Sequence, residues 1–195
     1  MTIKPGEDWG ELVDPPAGMV VVGDDAALAA HISAGDERPV QVVGGDLAAC
    51  LGAPAQGSTV RRVPIDVLRV VADGVEHLAV AHVIVRRSWW RGPLHAALNV
   101  ERVGTWDVAP RAHPNDGRLD VVEVAATMRW RERWEARRRL PTGTHVPHPS
   151  ITVRRAAEVT WTFDAPRTLW LDGRSLGGVR SVRVSVQPDA AVIHC

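Results

Sequence analysis

The residues best placed to do chemistry are aspartates seated beside glycines. Asp24-Asp25 follow Gly23 at the end of an apolar run, Asp46 follows Gly44-Gly45, Asp116 lies inside Asn115-Asp116-Gly117, and Asp172 precedes Gly173-Arg174. Glycines at such places let backbone N–H groups approach an anion, while a carboxylate there can hold a cation or accept a proton. The same residues also have a purely structural use, because Asp and Asn suit tight turns and helix N-caps. His145 and His148 are three apart, but Pro147 stands between them and no Cys or Glu is close, so they read as half-exposed loop histidines rather than zinc ligands. A second kind of site is interfacial. Trp89-Trp90-Arg91 and residues 128–140, MRWRERWEARRRL, combine indoles with guanidinium groups, a pairing suited to a lipid headgroup layer or the acidic groove of a partner.

The elements that must carry these residues divide the chain in two. Residues 18–22, 26–30 and 39–43 read as strand, helix and strand. A short helix over residues 46–51 follows, capped by Asp46 and stopped by Gly52 and Pro54. So few elements make at most half of a doubly wound sheet. Residues 55–58 are a small-residue linker, giving expected units of 1–54, an abbreviated Rossmann-like α/β segment, and 59–195, an antiparallel β-rich and sandwich-like domain. In the second unit, residues 63–71 and 76–85 form a hairpin around Asp73-Gly74, and residues 94–103 make the next strand. Leu119 to Val124 is a β-branched run behind the Asn115-Asp116-Gly117 turn. Residues 128–140 are helical, with Trp130 and Trp134 one turn apart, and the remainder alternates strands (151–155, 159–163, 168–171, 179–186, 190–194) with turns.

Composition bounds the partners. The 195 residues are 45% hydrophobic, enough for a substantial core, and Lys+Arg 23 balance Asp+Glu 23, so no global field draws nucleic acid. Lys4 is the sole lysine, and the Arg-, Ala- and Gly-rich usage fits a GC-rich bacterial genome. Cys50 and Cys195 have neither disulfide nor metal spacing, which fits a reducing cytoplasm. No stretch approaches the ~20 apolar residues of a membrane span, so any membrane association is peripheral, at the inner surface.

Val108-Ala109-Pro110-Arg111-Ala112-His113-Pro114-Asn115-Asp116-Gly117-Arg118-Leu119-Asp120 resembles the segment with which lipid kinases of the diacylglycerol kinase and sphingosine kinase superfamily enter their C-terminal β-rich domain. Leu169-Trp170-Leu171-Asp172-Gly173 is similar to the family's Val-x-Val-Asp-Gly-Glu. Upstream, Gly23-Asp24-Asp25-Ala26-Ala27 resembles a worn Gly-Gly-Asp-Gly-Thr nucleotide loop, and residues 44–52 resemble Gly-Asn-Asp-Phe-Ala-Arg-x-Leu-Gly. The family's first strand-helix-strand unit before Gly23 is not seen, and a segment between the hairpin and Asp116 is shortened.

The resemblance implies an ATP-dependent lipid kinase, with Gly23, Asp25, Gly44 and Asp46 at the nucleotide loops and Asp116, with neighbouring carbonyls, at a structural Mg²⁺ site. The residues depart from it in two places. Asp24 and Ala26 replace loop glycines and Ala27 replaces the threonine, and the added carboxylate would repel a triphosphate by ~1–4 kcal/mol per phosphate charge. Arg174 stands where the family has its general base, and a guanidinium cannot accept a proton at physiological pH. The expectation is a lipid-kinase-like chain with no catalytic base, no ATP chemistry and a retained binding face, against the alternative of an active lipid kinase with a remodelled site or one completed by a second chain. That face comprises Trp89, Trp90, Trp130, Trp134, Arg137, Arg138 and Arg139, for an anionic lipid surface or a protein partner, a second copy of the chain included. The same tryptophans could instead pack the helix onto the β-rich part. Six arginines against Glu132 and Glu135 leave residues 128–140 with four net positive charges.

Overall fold

The computed structural model describes residues 9–52 and 59–195. The proposed linker at 55–58 and residues 1–8 lie outside the described residues.

The first elements are short: β1 (Glu11–Val13), the valine-rich β2 (Val20–Val22) and β3 (Val40–Val42), with α1 (Asp25–Ser33) between β2 and β3 and α2 (Gly45–Leu51) after them. β2 and β3 pair in parallel, as a helical crossover requires. Alternating or β-branched sequence then gives β4 (Val60–Ala72), β5 (Val75–Ala79), β6 (His82–Arg86), β7 (Leu94–Leu98), β8 (Arg102–Val103), β9 (Trp106–Asp107) and β10 (Leu119–Val124). After α3 (Trp130–Arg139) and a 3₁₀ turn at Leu140–Thr142 come β11 (Ile151–Ala156), β12 (Glu158–Leu171) and β13 (Arg174–His194). The main path of the large sheet runs β1-β4-β13-β12-β6-β7-β10-β11, with β5 on β4 and the β2–β3 pair joined to β13 through β3.

Burial explains the pattern. β12 opens with strict alternation, Val159, Trp161 and Phe163 inward and their neighbours outward. The four residues His82 to Ile84 and Val85 are all buried because both faces of β6 are covered. Val83 and Val85 join the inner cluster with Leu68, Leu119, Val121, Leu169 and Val182. Ile84 faces the other way, with Leu94, Ala96 and Val122. Since β4, β6, β10, β12 and β13 all feed one inner cluster, the sheet must curl over itself. A third cluster joins Val22, Leu28, Val42 and Leu47 to Val63, Ile65 and Ile193, so the α/β segment and the ends of β4 and β13 share a core.

Several boundaries differ from the sequence expectation. The run 76–85 breaks at Val80-Ala81, where backbone N–H groups turn to a side chain, and the strand expected to reach 103 ends at Leu98. The separate strands expected at 159–163 and 168–171 are one bent strand with a register shift between Thr162 and Arg167, spanning Pro166, whose missing N–H interrupts the ladder. Residues 179–186 and 190–194 likewise fuse, with a shift between Gln187 and Ala191 around Asp189 at φ 52°.

Candidate functional site

The Gly23–Asp25 and Gly44–Asp46 segments lie against each other. Asp25, at the N-terminus of α1, turns its carboxylate to the N-terminus of α2 and accepts the N–H groups of Asp46 (2.6 Å) and Leu47 (3.1 Å). Those donors are ones a helix leaves unpaired, and they commonly hold anions. Here the anion is the chain's own. The approach is close: a Cβ at Gly45 (φ 93°) would collide with the Asp25 carboxylate, and one at Gly44 with the Gly23 carbonyl. Asp46 in turn accepts from Gly104 N–H (2.7 Å) and from His82 Nε2 (2.9 Å).

Asp172 completes the group from the far end of the chain. It occupies the β12–β13 turn at φ 47°, and its carboxylate accepts three N–H groups in succession, from Val80 (2.8 Å), Ala81 (2.9 Å) and His82 (2.9 Å). Burial raises its pKa against the opposing pull of His82 and these donors. Burial likewise carries Asp25 up to about 6, overcoming its two backbone donors and helped by the nearby Asp172 and Asp46 charges. For His82 burial works against the charged form, but the Asp46 hydrogen bond and the surrounding carboxylates prevail and raise its pKa.

Each of these groups holds a proton more tightly folded than unfolded. Their contribution to stability is present below the unfolded values and is lost as pH rises through the folded ones. The wild type is therefore expected to melt at lower temperature at about pH 8 than at about pH 5.5, and Asp25→Asn to flatten the profile in between, a fraction of the ~3 kcal/mol that a two-unit shift represents. Scanning fluorimetry across this range checks it; equal slopes for the two proteins would remove Asp25 as the source.

The two departures from the kinase pattern face each other. Arg174 Nη2 lies 3.6 Å from Asp24 Oδ1, both side chains more than half exposed, and Asp24 also caps α1 by accepting Ala27 N–H (2.6 Å).

A diacylglycerol kinase from Bacillus anthracis str. Sterne superposes with TM-score 0.63 at 14% identity, covering 90% of this chain and 74% of that one. Two further structures from the same strain, themselves provisionally assigned as diacylglycerol kinases, give TM-scores of 0.65 and 0.66 at 13% and 12% identity. They cover 90% of this chain and 76% and 77% of theirs. At such identities the likeness is one of fold. No curated protein matches. Residues 59–195 match the model of the YegS C-terminal NAD kinase β-sandwich-like domain. The chain belongs to that family. Membership and fold together bear out the lipid-kinase superfamily resemblance carried by the Asp116 and Asp172 segments.

In this YegS-type domain Asp116 stands apart from the Asp25–Asp46–Asp172 group. Its Oδ1 accepts Arg118 N–H (3.0 Å), an Asx turn, and its Oδ2 is paired with Arg155. The turn is anchored from below by Asp66, a fully buried residue of β4 whose carboxylate accepts Gly117 N–H (2.7 Å) and Asp189 N–H (3.0 Å). Asn99 bridges the two sites, donating to the carbonyls of Asp66 (3.0 Å) and Val80 (2.9 Å). Asp66, His82, Asn99 and Arg155 were not singled out in the sequence, because each is an ordinary strand residue until distant segments converge on it.

The interfacial residues fall on one region. Trp130 (63% exposed) and Trp134 (48%) point outward and do not pack α3 onto the sheet. Arg138 lies over Trp134 at 4.8 Å, and Arg137 sits between Trp90 and Trp106 at 5.3 and 5.2 Å. Arg133, expected among the surface charges, lies inside. It is buried, donating to the carbonyls of Met128 (3.1 Å), Trp89 (3.3 Å), Ala125 (3.1 Å) and Gly92, so it adds nothing to the surface charge and the outer face carries three net positive charges rather than four. His145, expected half-exposed, is 3% exposed. It lines an apolar cavity of about 190 Å³ beneath α3, together with Trp89, Trp90, Trp106, Met128 and Leu140. Among the described residues no helix is long and apolar enough to cross a membrane.

Proposed function

We propose that this chain is a lipid-kinase-like protein that does not transfer phosphate from ATP and that binds an anionic lipid surface through α3 and the 86–93 loop. The observation that carries the first half is the Asp24–Arg174 pair. Where the kinase pattern has a glycine and a base, this chain sets Asp24 against Arg174 across the loop. A triphosphate would have to approach the Asp24 carboxylate, and no group at position 174 could take the hydroxyl proton. In this reading the β2–α1–β3–α2 segment is an abbreviated nucleotide domain kept for its packing, since Leu28, Val42 and Leu47 complete the core around Ile193.

The second half rests on exposure. Arg129, Arg131, Arg137, Arg138 and Arg139, less Glu132 and Glu135, surround outward-facing indoles. Each net charge near an anionic surface contributes up to ~1 kcal/mol at modest salt, enough for reversible attachment. The cavity beneath the same helix offers apolar space beside the exposed Trp89 and Trp90.

One experiment separates the halves: sedimentation with phosphatidylserine vesicles that contain diacylglycerol, in the presence of labelled Mg·ATP. The protein is expected in the pellet at low salt and not at high salt, with no label entering lipid. Label in the lipid fraction restores the kinase reading. A wild type that stays in the supernatant, or an Arg137→Gln, Arg138→Gln, Arg139→Gln variant that pellets equally well, removes the membrane reading.

A further inference from the structure

The Asp116 turn, where the lipid-kinase resemblance implies a bound Mg²⁺, is built around a different cation. Both Asp116 oxygens are engaged, one by the Arg118 N–H and the other by the Arg155 guanidinium. Arg155 also reaches Asp120, with Nε 3.7 Å from Oδ2. That oxygen is buried and has no hydrogen bond, so the guanidinium is the charge that faces it from across the sheet. The placement is set by the fold rather than by a mobile side chain's chance: Asp120 and Arg155 are directly opposite in the β10–β11 register, and Gly117 is tied to Asp66. Two carboxylates, one in the turn and one just after it, thus share the Arg155 guanidinium. Arg111 adds a further positive charge near Asp120. A dication at Asp116 would meet the Arg155 guanidinium at close range, on a carboxylate whose other oxygen already accepts the Arg118 N–H.

We infer that Arg155 replaces the divalent cation at this turn, making the Asp116 region of this chain metal-independent. This goes beyond the absence of ATP chemistry and stands or falls without it, because the turn lies apart from the Asp24–Arg174 pair and its test uses no nucleotide.

The test is thermal melting in EDTA and in millimolar MgCl₂ or CaCl₂. The wild type is expected to melt at the same temperature in all three. Arg155→Gln removes the guanidinium that Asp116 and Asp120 share. It is expected to melt several degrees lower in EDTA and to recover part of that loss in Mg²⁺ or Ca²⁺, whereas Arg155→Gln combined with Asp116→Asn does not respond. Arg155→Lys, which keeps a positive charge and guards against a Gln variant that fails to fold, is expected to be as indifferent to metal as the wild type. A wild type destabilised by EDTA, a Lys variant that needs metal, or a folded Gln variant with no metal response would each overturn the inference.

Discussion

Asp172→Ala is expected to lower stability by ~3–5 kcal/mol, the largest loss of any single substitution considered. Its carboxylate satisfies three consecutive N–H groups at the point where β5 gives way to β6, and without it residues 80–82 retain donors that neither strand ladder nor solvent reaches. Each buried donor left unpaired costs about 1–3 kcal/mol, offset in part because a desolvated carboxylate is removed at the same time. Asp172→Asn keeps one good acceptor and should lose roughly half as much. Urea denaturation of the three proteins reads both values. If Asp172→Ala unfolds within ~1 kcal/mol of wild type, the residue is not the keystone of this junction and water must replace it. In this chain the aspartate of the Asp172-Gly173 turn holds the β5–β6 break through three backbone hydrogen bonds.

Arg133→Ala is expected to cost ~2–4 kcal/mol, although Arg133 looks from the sequence like one more surface charge in an arginine-rich helix. Its guanidinium gathers four carbonyls, from Met128 and Ala125 before α3 and from Trp89 and Gly92 in the loop beneath. Removing it leaves acceptors partly buried and opens the floor of the apolar cavity. Arg133→Lys should recover little, because an ammonium presents three donors at one point where a planar fork spans several. The loop should loosen first. Faster proteolysis within residues 86–93 and a red-shifted tryptophan emission, both at a temperature where the sheet is intact, would show it. Unchanged loop protection in Arg133→Ala would mean that cation–π contacts, such as Arg86 over Trp89 at 4.2 Å, hold the loop by themselves.

The two substitutions differ in how visible they were. Asp172-Gly173 is a turn by residue type alone, and the strands on both sides of it follow from local alternation, so the element could be placed without knowing its neighbours. That the aspartate points inward to cap residues 80–82 could not be read, since 90 residues and several strands separate donor from acceptor. Arg133 and Arg137 occupy one helix, four residues apart, yet one is buried against carbonyls and the other lies over two indoles. Helical periodicity places them on the same side; only the loop packed against that side decides which of them water still reaches.

From the sequence alone the β-rich architecture of the second half, the parallel pair ahead of it, the superfamily and the loss of the expected glycines and base were determined, because each depends on residue type and short-range spacing. Tertiary structure decided the rest. It set Asp25 against the N-terminus of α2, brought Arg174 beside Asp24, fused four expected strands into two long bent ones, and put Arg155 against Asp116. The physical reason is common to all four: charge pairing and strand register depend on which segments lie side by side in the folded sheet, and a chain whose inner cluster draws on seven strands from residue 60 onward carries no local mark of those pairings.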